Sequence, residues 1–248
     1  MSRRRADVVL VENGHFESRA RARAAIEAGL VFANGKQVRR PSEELPEDVE
    51  IRASAPHPWV SRGGLKLVAA LDGFGIDPKG RICLDVGAST GGFTEVLLAR
   101  GAARVHAIDV GHGQLHARLQ HDPRVLAREG TDARQLKPAD FVSEAGVVEA
   151  PDLIVCDVSF ISLALVLPPV LALAAPGAQL AVLVKPQFEA GPGKVNKGVV
   201  RDPLVHDAVC AKIRTLVESL GWRCLGLLPS PIEGGDGNRE FLLGARRD

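Results

Sequence analysis

LDVGASTGGF, residues Leu84 to Phe93, decides the fold of this 248-residue chain. An apolar run meets a turn of mostly small residues, Gly87, Ala88, Ser89, Thr90, Gly91 and Gly92, and Phe93 opens a helix-periodic segment. Small residues at a strand-to-helix turn let backbone amides approach a ligand at a helix N-terminus. In open α/β sheets, ligands bind beyond the carboxyl ends of the strands, so this turn is the expected binding site. Asp109 ends the next predicted strand, with Val110 beside it. It lies 22 positions after Gly87, close to the spacing of an acid that hydrogen-bonds ribose hydroxyls. The glycine pattern is G-x-x-x-G-G, which favours an adenosine-containing ligand over a nicotinamide dinucleotide. Asp85, Asp132 and Asp157 add carboxylates at the same edge, and such groups suit a cationic ligand bearing an amino group.

Outward from the turn, strand and helix signals alternate. Strands are predicted at 82–86, 105–109, 125–126, 153–157, 179–185, 223–228 and 240–244, and helices at 92–100, 114–119, 163–174 and 203–220. Asp202 and Pro203 supply an N-cap and a first-turn proline for the last helix. Alternation of this kind builds an α/β fold, a Rossmann-like, seven-stranded, mostly parallel sheet with helices on both faces. Its last two strands, joined by the turn at 234–238, form an antiparallel edge pair.

The first 54 residues read differently. A short helix over 7–13 stops at Gly14, and Ser18 caps a second running to about residue 28. Residues 30–38 read as a hairpin around Asn34-Gly35, and 49–52 as a third strand. Nine basic residues stand against four acidic ones in 1–40, and five acidic against one basic in 41–58. A basic front is followed by an acidic strip. The segment APHPWV, 55–60, is proline-rich and reads as a linker, leaving 1–54 as a small α+β module and 61–248 as the sheet domain. Trp59 is read either as a docking residue between the two or as the first core residue of the second.

Other classes are disfavoured. The longest apolar stretch, 161–175, is short for a bilayer span and is broken by Pro168-Pro169. The start of the chain lacks the apolar run of a secretory signal, so a cytoplasmic protein without membrane partners is expected. Cys83, Cys156, Cys210 and Cys224 lack paired spacing and read as buried thiols. His112 and His116 lack a third ligand, so no metal site is expected. The stretch 191–201, GPGKVNKGVVR, is glycine-rich and basic without being a phosphate-binding P-loop, and reads as a mobile lid or RNA-contacting loop.

Residues 5–41, and above all SRARARAAIEAGLVFANGKQV, resemble the S4 RNA-binding domain. That resemblance implies RNA contacts from Arg5, Arg19, Arg23, Lys36 and Arg39. Over nearly its whole length, through LDVGASTGGFTEVLLARGA, DVGHGQL, CDVSFISL, LVKPQFE and GNREFLL, the chain resembles the TlyA family. Members join an S4 domain to a methyltransferase domain related to the FtsJ/RrmJ ribose methylases, and the family has also been labelled haemolysin. The resemblance implies methyl transfer from S-adenosylmethionine to a cytidine ribose 2′-hydroxyl in ribosomal RNA or ribosomal subunits. It also implies a catalytic tetrad of Lys66, Asp157, Lys185 and Glu240. A ribose hydroxyl is a poor nucleophile facing an already activated sulfonium methyl, so the enzyme must orient the hydroxyl and manage its proton. Lys185 is read as the base or as stabiliser of the developing alkoxide, helped by desolvation and by Lys66, with Lys66 as the alternative base and Asp157 and Glu240 orienting the lysines. Arg62, ahead of Lys66 in a predicted loop of Ser61 to Gly64, is read as a phosphate contact. A noncatalytic RNA-binding protein and, further off, a membrane-active haemolysin stand as alternatives.

Overall fold

Three consecutive arginines open the described chain as a strand. The computed structural model describes residues 3–46, 48–142, 146, 148–191, 193–234 and 237–248, in two compact units, Met1–Pro58 and Trp59–Asp248. The first unit contains β1 (Arg3–Arg5), α1 (Ala6–Glu12), α2 (Arg19–Glu27), β2 (Val31–Ala33), β3 (Lys36–Gln37), β4 (Glu44–Pro46) and β5 (Ile51–Ala53). The Ser18 hydroxyl caps α2 by accepting from the Arg21 amide. Asn34 and Gly35 take the positive φ angles, 48° and 76°, that turn β2 antiparallel into β3. Strand β5 flanks β2 on its other side. The β1–β4 pair was not foreseen: Arg5 stands opposite Glu44, so the basic front lies along the acidic strip and opposite charges face each other across the ladder. Glu47 of that strip lies outside the described residues. Leu10, Phe16, Ala22, Ile26, Val31 and Leu45 close one thin core.

The second unit runs α3 (Gly63–Phe74), β6 (Ile82–Val86), α4 (Gly92–Ala99), β7 (Arg104–Ile108), α5 (Ala117–Gln120), β8 (Val125–Arg128), β9 (Leu153–Cys156), α6 (Leu163–Leu171), β10 (Gln179–Val184), α7 (Pro186–Glu189), α8 (Pro203–Ser219), β11 (Trp222–Pro229) and β12 (Phe241–Arg247). Its seven strands lie in the order β11-β12-β10-β9-β6-β7-β8. Strand β12 is antiparallel to both neighbours and the other pairings are parallel. Both sheet faces are covered, which is why the inner strands are mostly apolar. Leu167 and Val170 of α6 and Ile213 of α8 belong to one core cluster, and Leu67 and Leu71 of α3 and Val96 and Leu97 of α4 to the other. Trp59 and Val60 pack on the second cluster, so Trp59 is a core residue of this unit.

Two local expectations are corrected. Gly63 and Gly64 are not loop but the first turn of α3. Glycine is a poor helix former, yet a Cβ on Gly64 would come within 2.5 Å of the Trp59 ring, so packing selects it there. The helix expected over 114–119 shrinks to the single turn of α5. The amides of Gly113, Gln114 and Leu115 instead donate to the Glu129 carboxylate at 2.8, 2.6 and 3.0 Å, which removes them from any helical ladder. Three of the cysteines are buried and all four are free, and burial pushes the Cys210 thiol up to about 11. No helix among the described residues is long and apolar enough to cross a membrane.

Candidate active site

Strand order reverses at β6, which lies between β9 and β7, and a cavity of about 350 Å³ opens beyond the carboxyl ends of these strands. Gly87, Ser89, Asp109, Val110, Asp132 and Asp157 line it, together with Ser159 and Phe160. The volume is within the range of small-ligand sites. Gly87, at φ +85°, lets the turn lie against β9, since a Cβ there would be 2.5 Å from the carbonyl oxygen of Asp157. Ser89 and Gly91 also have positive φ, 48° and 96°. Asp109 accepts from the amides of Ser89 and Gly111, both at 2.7 Å, so it shapes two loops while facing the cavity. Asp132 caps a short 3₁₀ turn and pairs with Arg134 at 2.6 Å, which holds its carboxyl below the usual range.

The remaining turn residues are placed behind this wall. Ala88 and Phe93 are buried in the second core cluster, and the Thr90 carbonyl accepts from the His116 amide. Gly91 caps α4 and Gly92 begins it, Gly92 lying close against Ser61 and the Gly64 amide. Asp85 is fully buried; its Oδ2 accepts from Thr94 Oγ1 at 2.6 Å, and its Oδ1 has no partner among the described residues. Burial, reinforced by the Asp157 and Asp109 carboxylates and opposed by the Thr94 hydroxyl, pushes Asp85 up to about 7. A glycine cradle closed by a neighbouring carbonyl, three carboxylates in the wall and an unsatisfied fourth behind it fit an adenosine-containing cation.

Two lysine–carboxylate pairs stand at this end of the sheet. Lys185 Nζ lies 2.5 Å from Asp157 Oδ1 and donates to Ser159 Oγ at 2.9 Å, and both partners line the cavity. Lys66 Nζ, projecting from α3, donates to Glu240 Oε2 at 2.5 Å. The two lysines are only 9% and 8% exposed. The register explains the placement: Val184 pairs with Phe241, so Lys185 and Glu240 follow as the next positions of adjacent strands. Asp157 is the residue after β9, on the other side of β10.

Sequence reasoning missed several supports. Ser159 gave no pattern of its own. Glu189 is buried and accepts from Ser162 Oγ (2.7 Å) and the Leu163 amide (2.6 Å), joining the turn after Lys185 to the loop after Asp157. Phe160, at φ +63°, packs on Phe188 with ring centroids 5.1 Å apart. Asn238 is buried and grips 191–201: its Oδ1 accepts from the Val200 amide at 3.0 Å and its Nδ2 donates to the Gly198 carbonyl at 2.9 Å. The second half of that loop is therefore tied down by a tight turn at Asn196–Val199; Pro192 lies outside the described residues.

In the first unit, Arg5, Arg19 and Arg23 meet at one carboxylate, that of Asp7, while Lys36 and Arg39 are exposed around the hairpin. Arg62 is exposed at the position preceding α3.

A seven-stranded sheet of this order with a glycine cradle at its switch point defines the α/β methyltransferase class. Residues 59–247 match the FtsJ-like methyltransferase family and residues 4–51 the S4 domain. The chain belongs to the TlyA family, in which these two domains are joined. It is 44% identical over 250 residues to the 16S/23S rRNA (cytidine-2′-O)-methyltransferase TlyA of Mycobacterium tuberculosis, covering 99% of this chain and 91% of that one. It is 38% identical over 239 residues to Hemolysin A of Brachyspira hyodysenteriae, covering 96% and 98%. The solved structure of a protein from Streptococcus thermophilus, also titled a hemolysin, superposes with a TM-score of 0.77 at 40% identity, covering 100% of this chain and 89% of that one.

Proposed function

We propose that the protein transfers a methyl group from S-adenosylmethionine to the 2′-hydroxyl of a cytidine ribose in ribosomal RNA, acting in the cytoplasm on rRNA or ribosomal subunits. Residues 1–54 hold the RNA and 59–248 carry the chemistry, with 55–58 between them; the expected linker of 55–60 is shortened because Trp59 and Val60 pack on the second unit. The observation that carries this reading is the Lys185–Asp157 pair at the cavity wall, with Lys66–Glu240 one strand over.

Asp109 would hold the ribose of the cofactor, Val110 and Asp132 the adenine end, and Gly87 with Asp157 the amino-acid end, with the buried Asp85 behind the turn rather than in contact. When bound, S-adenosylmethionine supplies an electrophilic methyl group. The chain must bring one hydroxyl to it in line and deal with that hydroxyl's proton. Lys185 is fixed by Asp157 and Ser159 and does this at the 2′-oxygen. As the free amine it accepts the proton; as the ammonium it donates to the developing alkoxide. Lys66, fixed by Glu240 at the same end of the sheet, is the alternative base. Arg62 holds a phosphate of the bound strand.

Purified protein, labelled S-adenosylmethionine and unmodified 30S and 50S particles test the proposal. Label is expected at one cytidine 2′-oxygen per modified RNA, and Lys185→Ala should slow transfer by about 10²–10⁴-fold. Full rate in that variant would remove Lys185 from the mechanism. Cofactor binding with no label in either particle would leave a noncatalytic RNA-binding protein.

A further inference from the structure

Arg5 from β1 and Arg19 and Arg23 from one side of α2 all converge on a fully buried acid in the first turn of α1. Asp7 accepts from Arg5 Nε and Nη2 (3.0 and 3.2 Å), Arg19 Nε and Nη2 (3.3 and 2.9 Å) and Arg23 Nε (3.0 Å). The arginine side chains nevertheless stay 45%, 53% and 48% exposed. Hydrogen bonds from Arg5 first, then from Arg19 and Arg23, hold the Asp7 carboxyl far below the usual carboxylate range, so it remains an anion. Each guanidinium has five N–H donors, and Asp7 engages Nε of all three with Nη2 of two. Among the described residues, the Nη1 groups and Nη2 of Arg23 are left over. The cluster keeps an excess of positive charge, and its half-exposed forks are held in one place.

We propose that Asp7 builds a phosphate-binding site: it gathers Arg5, Arg19 and Arg23 into a preorganised trident for the RNA backbone. This rests on the RNA-binding reading of the amino-terminal unit. Without the carboxylate, three guanidiniums at this spacing repel one another and spread, and ordering them again on a phosphate costs side-chain entropy. Asp7 is thus a positioning residue whose removal weakens RNA binding although it takes a negative charge off an RNA-binding face. Simple charge counting predicts the reverse.

The test is the affinity of the full chain for fluorescein-labelled unmodified rRNA transcribed in vitro, measured by anisotropy across a salt series. Asp7→Asn should raise Kd about tenfold and flatten the dependence of log K on log salt by roughly 0.7–0.9, the loss of about one phosphate contact. Arg5→Ala/Arg19→Ala/Arg23→Ala should lose more. If that triple variant binds like the parent, the RNA-binding reading of this face fails and the proposal with it. If it loses binding while Asp7→Asn binds as tightly as the parent or tighter, the reading stands and the role of Asp7 is overturned. Should Asp7→Asn lose its cooperative melt, Arg5→Lys/Arg19→Lys/Arg23→Lys decides, because it keeps every charge and removes only the forks. Weakened binding supports the trident, and parental affinity overturns it.

Discussion

At Gly87 the backbone is held at φ +85° with the Asp157 carbonyl oxygen 2.5 Å from where a Cβ would go, so one hydrogen-only side chain sets the distance between the proposed cofactor turn and the end of β9. Gly87→Ala should therefore lower the melting temperature and weaken S-adenosylmethionine binding at least about tenfold, as read by calorimetric titration, since the φ cost alone is about 1–2 kcal/mol. Parental affinity would mean that the turn has room to spare. The carboxylates show what residue identity alone leaves open. Asp85, Asp109, Asp132 and Asp157 were all readable as a cluster, but their depth was not. Asp109 and Asp157 follow the ends of β7 and β9 and face the cavity, whereas Asp85 lies inside β6 and is tied to Thr94.

The two lysine–carboxylate pairs proposed for catalysis depend on contacts that hold strand ends together, and Asn238 makes two of these. It joins Gly198 and Val200 to the chain two residues before Glu240, and His206 Nε2 lies 2.9 Å from the same Val200's carbonyl oxygen. Asn238→Ala leaves the buried Val200 amide without its partner, at about 1–3 kcal/mol, while the Gly198 carbonyl lies on an exposed residue and can turn to water. The melt should fall by roughly 3–8 °C. Single-turnover methyl transfer should fall further than the folded fraction does, because Glu240 loses its tether; a rate that follows the folded fraction alone would make Asn238 purely structural. Alternation of strand and helix was legible here because the inner strands are mostly apolar runs, interrupted only by single polar residues such as Asp85 and His106. Helix α3 was not: its Gly63-Gly64 opening reads as a loop until the Trp59 ring is found beside it.

Across the whole molecule, two buried groups with opposite tendencies govern stability in mildly acidic solution. His106 lies in the sheet against Phe141 with neither ring nitrogen hydrogen-bonded among the described residues, and burial first, then Arg128 and Arg104, lowers it to about 4. Its contribution is complete above the unfolded value near 6.5 and fades as pH falls toward 4. Asp85, raised to about 7, acts the other way: its contribution is complete below the unfolded value near 4 and fades as pH rises through 7. Each amounts to on the order of 3–4 kcal/mol, so between about pH 4.5 and 6.5 they offset each other and the melting temperature should be nearly flat. His106→Phe removes the rising contribution, and its melting temperature should then fall as pH increases through that window. A flat profile in the variant would show that Asp85 is not titrating there.

What the sequence determined by itself was the α/β class and the basic amino-terminal module, and it named the turn and the four residues proposed here as the site. All of these are written in local patterns, spacing or family motifs. Tertiary structure decided which of those residues meet. Lys66 and Glu240 are 174 positions apart and pair only because α3 packs beside β12. Asp7 counted as a minus sign against the basic front until the fold buried it beneath three arginines. Contact across such separations follows from packing and strand register, which no single stretch of chain encodes. The Leu84–Phe93 turn could announce a ligand, but only the assembled sheet could set two lysine–carboxylate pairs beside it.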